Sequence, residues 1–271
     1  MEQLVENSNL ETTIEIEGDA QTEKCDFTAE DLKFENFDWQ TKYSDEYYEA
    51  YMNAYERNPK PRRFYRFMKR SFDIVMALLG IILASPFMLI IAVAIKLDSK
   101  GPVIFKQQRM GKGAKPFNFY KFRSMKTTAP RDCATSELAK PEMHITKVGR
   151  RLRKLSLDEI PQFFNVLNGT MSFIGYRPLV LTEANCNNMR ERLHVFEMRP
   201  GISGYAQVVG RDDVYYKNKA ILDSEYVKRA SLGFDLKLIF ETVWVVFKRK
   251  GNDSEKQGKS QNNESKGENR E

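Results

Sequence analysis

The sequence predicts an α+β protein: a small, mostly helical domain with a short β-hairpin, one re-entrant membrane segment and interfacial amphipathic helices. The run Ile74–Ile95 contains 22 residues without a charge, and about 20 apolar residues suffice to cross a bilayer. Two β-type runs around a glycine-containing turn follow it, as in a hairpin. Three later stretches carry helical patterns.

The charge of the chain is divided between an acidic beginning and a basic body. Residues 1–50 contain 15 Asp and Glu against 3 Lys and Arg, whereas the remaining residues contain 22 against 40. A basic body suits an anionic partner, such as nucleic acid, anionic lipid or a phosphate-rich substrate. Cys25, Cys133 and Cys186 are too far apart for a metal site or a disulfide framework, which fits a reducing compartment.

The two ends of the chain are predicted to lie outside the folded domain. Residues 1–58 are an acidic N-terminal arm, of which residues 1–35 are predicted to be disordered. They lack an apolar run, so no cleavable signal peptide is expected. Residues 251–271 form a polar, disordered tail. Within the arm, one face of a packing helix is indicated by tyrosines at every fourth position: Tyr43, Tyr47, Tyr51 and Tyr55.

Residues 59–100 are interpreted as a basic approach followed by a re-entrant membrane helix. Ser85-Pro86 lies in the middle of the apolar run, where proline removes a helical hydrogen bond and forces a kink. Lys and Arg flank the run on both sides, and such flanks stay on the cytoplasmic side. We therefore expect a helix, a break and a second helix that leaves by the face of entry. A kinked single span is the alternative.

Residues 101–250 are predicted to form the folded domain, which begins with strands at Val103–Arg109 and Pro116–Met125. In a regular strand Lys121 and Arg123 point to the same side, either towards a ligand or into solvent. Helical pieces are predicted over three ranges, the last interrupted at Gly233: 145–170, 182–197 and 218–250. The last range contains a largely apolar stretch with Trp244, which suits an interfacial helix or a core helix.

Asp158 and Glu159 are adjacent carboxylates that follow a dense group of cations: Lys147, Arg150, Arg151, Arg153 and Lys154. Ser156 and Glu159 have the spacing of a capping box. A helix that starts at Asp158 would instead accommodate Pro161 in its first turn and keep the Asp158 carboxylate ionised. That carboxylate could attack a phosphoryl group, with Glu159 as a base. Capping and catalysis both remain open on these residues alone.

Two further segments are phosphate-binding candidates, and the first of them is the stronger. Arg177, between Tyr176 and Pro178, lies in a predicted turn where a guanidinium suits bidentate phosphate binding; a purely structural turn is the alternative. Residues 199–211 contain three glycines, but not in the order of a phosphate-binding loop. An ordinary glycine-rich loop is predicted there.

Eight segments occur in a specific order: Lys69-Arg-Ser-Phe-Asp73, Ser85-Pro86, Gly101-Pro-Val-Ile-Phe-Lys-Gln-Gln-Arg109-Met-Gly111, Lys121-Phe-Arg-Ser-Met125, Leu155-Ser-Leu-Asp-Glu-Ile-Pro-Gln162, Asn165-Val-Leu-Asn-Gly-Thr-Met-Ser172, Gly175-Tyr-Arg-Pro178 and Pro200-Gly-Ile-Ser-Gly-Tyr-Ala-Gln207. This series closely resembles the bacterial sugar transferases, the monotopic polyprenyl-phosphate phosphoglycosyl transferases. The resemblance covers about residues 66–250.

The resemblance implies an enzyme of the bacterial cytoplasmic (inner) membrane whose catalytic domain faces the cytoplasm. Its implied substrates are a nucleotide sugar, usually a uridine diphosphate sugar, and polyprenyl (undecaprenyl) phosphate, to which the sugar phosphate is transferred among the inner membrane lipids. Magnesium (Mg2+) is the implied cofactor. The implied place of the reaction is the first membrane step of surface polysaccharide or glycoconjugate synthesis, and a homodimer is considered.

The resemblance also implies roles for individual residues. Asp158 would be the nucleophile, would form a phosphosugar-aspartyl intermediate and would contact the metal. Glu159 would help to activate the polyprenyl phosphate, and Ser85-Pro86 would form the re-entrant break. Four cations would bind substrate phosphate: Arg153, Arg177, Lys121 and Arg123.

Three positions depart from the family pattern. Tyr176 replaces a common proline, which leaves the aim of Arg177 open, and Thr170 and Tyr205 stand where Asp and Trp are frequent. Two rival functions are weaker. A membrane-tethered nucleic-acid binder lacks a recognition helix, so no nucleic-acid partner is expected. A non-catalytic scaffold would not need the intact Asp158-Glu159 pair.

Overall fold

The computed structural model describes residues 33–55, 63–130, 141–210 and 214–245. Within them, helices surround two small sheets of two strands each. The helices are α1 (Asp45–Ala54), α2 (Arg63–Asp98), α3 (Pro141–His144), α4 (Lys147–Lys154), α5 (Gln162–Leu167), α6 (Ala184–Arg192), α7 (Tyr205–Val209), α8 (Tyr216–Arg229) and α9, described over 232–245. The strands are β1 (Ile104–Met110), β2 (Pro116–Phe122), β3 (Ser172–Ile174) and β4 (Gly201–Ser203).

The predicted hairpin is confirmed. Strands β1 and β2 pair antiparallel from Ile104 opposite Phe122 to Met110 opposite Pro116. Gly113 lies in the connecting turn at φ +69°, a left-handed conformation that glycine adopts without strain. Phe119 of β2 packs into a core cluster with α2 and the segment around α5, so the hairpin is fixed against the long helix.

The glycine-rich stretch predicted as an ordinary loop instead contains strand β4. It pairs in parallel with β3, and a Cβ added to Gly204 would lie 1.8 Å from the carbonyl oxygen of Gly175. Glycine is therefore needed on both segments so that the two backbones can approach. The prediction of a loop at 199–211 is wrong for β4 and α7.

Helix α2 is continuous from Arg63 to Asp98, so the predicted non-helical break between two half-helices is wrong, whereas the predicted kink at Pro86 stays a prediction. Pro86 lies inside it, and proline cannot donate to the carbonyl four residues earlier, that of Ile82. The Ser85 hydroxyl donates to this carbonyl oxygen at 2.8 Å. Ser85 thus satisfies the acceptor that Pro86 leaves free, by a side-chain hydrogen bond of the kind that often bends a helix.

The folded domain holds both ends of α2. Near its start, the Lys69 ammonium lies 2.8 Å from the Asp235 carboxylate of α9. At its end, the Asp98 carboxylate accepts a hydrogen bond of 2.9 Å from the Val148 N–H of α4. The apolar run between them is long enough to cross a membrane by length and composition. The large side chains in its middle are exposed: Ile82, Leu83, Phe87, Leu89 and Ile90.

The predicted aromatic helix of the arm is confirmed as α1, and it packs on α6 and α8. Tyr48 is fully buried and its hydroxyl donates to Asn218 of α8 at 2.5 Å. Glu49 pairs with Arg192 of α6 at 3.0 Å. The predicted disorder to residue 35 ends too late, because Phe34–Asn36 forms a 3-10 turn. Residues 1–32 and 251–271 lie outside the described part of the chain.

The interruption predicted at Gly233 occurs earlier, at residues 230–231. Ser231 begins α9, since its hydroxyl accepts a hydrogen bond from the Phe234 N–H, as a helix N-cap does. Gly233 lies within the helix. One side of α9 is buried at Leu238, whereas Phe240 and Trp244 are exposed by 72% and 70%. Predicted helix 182–197 is likewise two elements, because His194 at φ +55° separates α6 from a 3-10 turn.

A double-mutant cycle tests the contact between Ser85 and the Ile82 carbonyl. We expect Ser85→Ala to lower the unfolding free energy by about 1 kcal/mol, or a midpoint shift of roughly 2–4 °C, because the Ile82 carbonyl oxygen, within the apolar run, loses its donor. In a Pro86→Leu background the backbone N–H returns, so the same substitution should have almost no effect. Thermal unfolding in detergent measures both. Equal losses in the two backgrounds would contradict this role of Ser85.

Candidate active site

Asp158 lies in a 3-10 turn, Leu157–Glu159, between α4 and α5. Ser156 adopts φ +56°, a left-handed conformation that costs roughly 1–2 kcal/mol for residues with a side chain. This conformation ends α4 and reverses the chain towards strand β2. Helix α5 begins only at Gln162, with Pro161 before it. The predicted helix start at Asp158 is therefore wrong.

The capping-box alternative is wrong as well, since the Ser156 side chain makes no capping hydrogen bond. Glu159 reaches a different set of partners. The Lys121 ammonium of β2 donates to Glu159 Oε1 at 2.8 Å and lies 3.7 Å from Asp158 Oδ2. Arg177 Nη2 lies 3.4 Å from the same Glu159 oxygen. Four of the predicted site residues thus converge from three separate segments.

The Glu159 carboxylate is held ionised by these cations. Burial raises its pKa, but the charges of Lys121 and Arg177 and the hydrogen bonds from them outweigh burial and lower the pKa to about 2. A carboxylate with such a pKa is a weak base. In this state, Glu159 orients the two cations rather than accepting a proton.

Asp158 is buried, with 5% of its surface exposed, and Arg153 stands near it. Burial lowers the pKa of the Arg153 guanidinium, whereas the charge of Asp158 raises it. Arg153 Nε also donates to the Ser124 hydroxyl at 2.9 Å. The Asp158 carboxylate therefore has cations on two sides, Lys121 and Arg153.

Arg123 has a structural contact away from the two carboxylates. Its guanidinium donates to the carbonyl oxygens of Ser99 at 2.6 Å and Lys100 at 2.9 Å, just past the end of α2. These carbonyls follow the last helical turn, where a cation is favourable. Phosphate binding by Arg123 stays a prediction.

Arg109 of β1 belongs to the site although it was not singled out as a site residue from the sequence. Its Nη1 donates to the Pro178 carbonyl oxygen at 2.7 Å, next to Arg177. Its guanidinium lies 4.4 Å from the centre of the Phe119 ring. Burial and the charge of Arg177 lower its pKa to about 10. Its position in one of the eight motif segments could have identified Arg109 as a site residue from the sequence.

A cavity of about 250 Å³ opens beside the carboxylates, between the hairpin and α4. Its described lining contains no Asp or Glu and includes six cations: Lys106, Arg109, Lys121, Arg123, Lys126 and Arg153. Such a concentration of positive charge favours an anionic ligand. Three of the four predicted phosphate-binding residues line this one cavity, whereas the fourth, Arg177, contacts Glu159.

The carboxylates of the site fit Mg2+ only if substrate phosphates complete its coordination. The described residues contain no group of three or more His, Cys, Asp or Glu side chains that could enclose a metal ion. Mg2+ is usually held by one or two carboxylates together with substrate phosphates. Asp158 fits that mode, whereas Glu159 is engaged by Lys121 and Arg177.

Comparison with known proteins identifies the class of this chain. Residues 64–249 match the family model described as bacterial sugar transferase. The chain therefore belongs to the bacterial sugar transferase family, as the order of the eight segments predicted. The matched region contains every residue of the site described above, whereas α1 and the rest of the arm lie outside it.

Particular relatives sharpen the comparison. The chain is 44% identical over 199 residues to the UDP-N-acetylgalactosamine-undecaprenyl-phosphate N-acetylgalactosaminephosphotransferase of Aeromonas hydrophila, covering 69% of this chain and 45% of the relative. It is 41% identical over 194 residues to the UDP-glucose:undecaprenyl-phosphate glucose-1-phosphate transferase of Escherichia coli (strain K12), covering 68% and 41%. The chain thus spans less than half the length of these two relatives. An uncharacterized sugar transferase of Bacillus subtilis (strain 168) is 40% identical and is covered over 89% of its length.

The depressed pKa of Glu159 predicts a pH dependence of stability. Its folded-state value of about 2 lies below the ordinary 4.5, so folding favours the ionised form. The resulting stabilisation is complete above about pH 4.5 and is lost as the pH falls towards 2. The difference in thermal midpoint between the wild type and Glu159→Gln should therefore shrink as the pH falls through this window. A difference that does not change with pH would contradict the ion pairs of Glu159.

Proposed function

We propose that this protein transfers a sugar phosphate from a nucleotide diphosphate sugar, a uridine diphosphate sugar, to undecaprenyl phosphate. The observation that carries the proposal is the buried Asp158 carboxylate beside a cavity lined by six cations. Membership of the sugar transferase family supports it, as do the relatives named undecaprenyl-phosphate sugar phosphotransferases. The reaction is proposed as the first membrane step in the synthesis of a surface polysaccharide or glycoconjugate.

In the proposed first step, an Asp158 oxygen attacks the phosphorus next to the sugar. The new P–O bond makes a phosphosugar-aspartyl intermediate, and the bond to the bridging oxygen breaks. The nucleoside monophosphate leaves with that electron pair. Lys121, 3.7 Å from Asp158, and Arg153 are close enough to share the negative charge of the phosphoryl group, as phosphoryl transfer requires.

In the proposed second step, an oxygen of undecaprenyl phosphate attacks the same phosphorus and releases the Asp158 carboxylate. Glu159 is a weak base while Lys121 and Arg177 bind it. A substrate phosphate that draws these cations away would leave Glu159 buried and uncompensated, so its pKa would rise. We propose that Glu159 gains its strength as a base in this way, after the substrate has bound.

Mg2+ is proposed as the cofactor, held by Asp158 together with the phosphates of the substrate. When bound, the ion would neutralise charge on the diphosphate. Arg177, which contacts Glu159 in the absence of substrate, is proposed to bind a phosphate of the substrate instead, since a guanidinium suits two phosphate oxygens at once.

Helix α2 is proposed to be re-entrant, with both ends on the cytoplasmic side. Residues 69 to 98 cover roughly 43 Å at about 1.5 Å per residue, more than the hydrocarbon core of roughly 30 Å. A straight crossing would separate the two ends by the whole membrane, so the proposal requires α2 to bend at Ser85-Pro86. Polar contacts of one domain hold both ends, at Lys69 and at Asp98. The exposed apolar side of α9, with Phe240 and Trp244, is proposed to lie in the membrane interface.

A trapping experiment tests Asp158 as the nucleophile. Incubation with a labelled uridine diphosphate sugar and Mg2+, without lipid, should give a covalent phosphosugar adduct that peptide mass spectrometry assigns to Asp158. Asp158→Asn should give none, because an amide is a poor nucleophile. Removal of Mg2+ with a chelator should lower the yield at least tenfold.

Glu159→Gln is the matched control for the trapping experiment. It should still form the adduct, because the amide oxygen of Gln can accept hydrogen bonds from Lys121 and Arg177. It should transfer the sugar phosphate to undecaprenyl phosphate at least tenfold more slowly, since the base is needed only in the second step. An adduct in the Asp158→Asn variant, or none in the wild type, would contradict the covalent mechanism.

Cysteine labelling tests the topology of α2. Single cysteines replace Arg66 and Lys100, which are exposed near the two ends of the helix, in a background without the native Cys25, Cys133 and Cys186. Both positions should react with a membrane-impermeant maleimide in inverted vesicles, and neither in intact spheroplasts. Reaction of the two positions from opposite sides would rule out re-entry.

A further inference from the structure

The backbone of Arg177 is anchored to a fully buried ion pair between α6 and α8. Arg190 Nη1 donates to the Arg177 carbonyl oxygen at 2.9 Å. Arg190 Nη2 lies 2.5 Å from Asp223 Oδ2, and the two side chains are exposed by 0% and 1%. The Arg190 guanidinium therefore links the Asp223 carboxylate of α8 to the backbone carbonyl of Arg177.

The residue before Arg177 is attached to the same guanidinium. The Tyr176 ring is buried, with 1% of its surface exposed, and lies 5.3 Å from the Arg190 guanidinium carbon. On another side it meets the edge of Phe196, with ring centres 5.4 Å apart. A ring enclosed in this way has one orientation, which restricts the backbone from which Arg177 projects.

The residue after Arg177 is held from the hairpin. Arg109 Nη1 donates to the Pro178 carbonyl oxygen at 2.7 Å, and the Met110 N–H donates to the Leu179 carbonyl oxygen at 2.9 Å. The segment around Arg177 is thus fixed on both sides. The Arg177 side chain, which is 29% exposed, extends from it to Glu159.

The buried group of Arg190, Asp223 and Tyr176 is an unfavourable way to stabilise the fold. Among the described residues, Tyr176 Oη, Arg190 Nε and Asp223 Oδ1 are buried and have no hydrogen-bond partner. Buried ion pairs can often be replaced by apolar residues of similar volume without loss of stability. Polar groups retained at such a cost occur at functional sites.

We propose that Arg190, oriented by Asp223, is a positioning residue that aims Arg177 at the phosphate of the substrate. The proposal rests on the proposed function of Arg177 as a phosphate-binding residue. It assigns Arg190 no contact with the substrate. Its effect should pass entirely through Arg177.

A conservative variant provides the first test. Arg190→Lys keeps a positive charge for Asp223 but loses the second donor and the planar face against Tyr176. We expect the release of uridine monophosphate to fall at least tenfold in kcat/KM, with folding retained. Arg192→Lys is the matched control, because this arginine lies on the same helix in an exposed pair with Glu49, and its activity should match the wild type.

The apolar pair Arg190→Met with Asp223→Leu serves if the lysine variant fails to fold, since it removes both buried charges together. It should unfold at a temperature similar to the wild type and show the same loss of kcat/KM. Wild-type activity in a folded apolar pair would overturn the positioning role.

A double-mutant cycle with Arg177→Ala decides whether Arg190 acts through Arg177. If it does, adding Arg190→Lys to Arg177→Ala should cause no further loss, whereas independent effects would multiply. Multiplied losses would overturn the proposal and indicate a general structural role for Arg190.

The same double-mutant cycle, repeated with the calorimetric affinity for uridine diphosphate, separates the positioning role from the proposed function. A wild-type protein that binds this nucleotide but releases no monophosphate would contradict the proposed function alone, and coupled losses in binding would still support positioning. Additive losses in binding would overturn positioning alone. No binding and no turnover in the folded wild type would overturn both proposals.

Discussion

The Glu159 carboxylate is the group on which the arrangement of the site depends, because it holds two cations from different parts of the chain. Lys121 comes from the hairpin and Arg177 from the segment after β3. The hairpin is anchored on α2, and the segment of Arg177 is anchored on α6. The ion pairs of Glu159 therefore join these two parts of the domain. The 3-10 turn that carries Glu159 also carries Asp158. The ion pairs of Glu159 therefore fix the position of the candidate nucleophile.

The long helix places this network beside an exposed apolar surface. Gly80 of α2 faces Phe163, in the helix that follows the two carboxylates, and an added Cβ would lie 2.8 Å from that ring. The apolar middle of α2 is exposed and both of its ends are bound to the domain. In the proposed reaction, a lipid-linked substrate held by the membrane and a nucleotide sugar in the cationic cavity would meet at Asp158. The fold thus places a cationic cavity and an apolar surface in one domain.

The elements that depend on local chemistry could be predicted from the sequence. The hairpin, the aromatic helix and the apolar helix follow from turn residues, tyrosine spacing and the uncharged run. The Ser85 hydroxyl satisfies the carbonyl that Pro86 leaves free in α2, and the β3–β4 pair depends on distant glycines. The role of Asp158 could be predicted from the motif segments around it. The link between Arg177 and Arg190, in contrast, joins residues 13 apart across a loop. No periodicity indicates such a contact, because it is made by tertiary packing.

A structure of the Asp158→Asn variant in lipid nanodiscs with a bound uridine diphosphate sugar tests the central claim most directly. The sugar-side phosphorus should lie about 3–3.5 Å from the side chain at position 158, a distance suited to attack. Lys121 and Arg177 should have moved from Glu159 to the phosphate oxygens. A diphosphate bound away from position 158, with both cations still on Glu159, would contradict the proposed site.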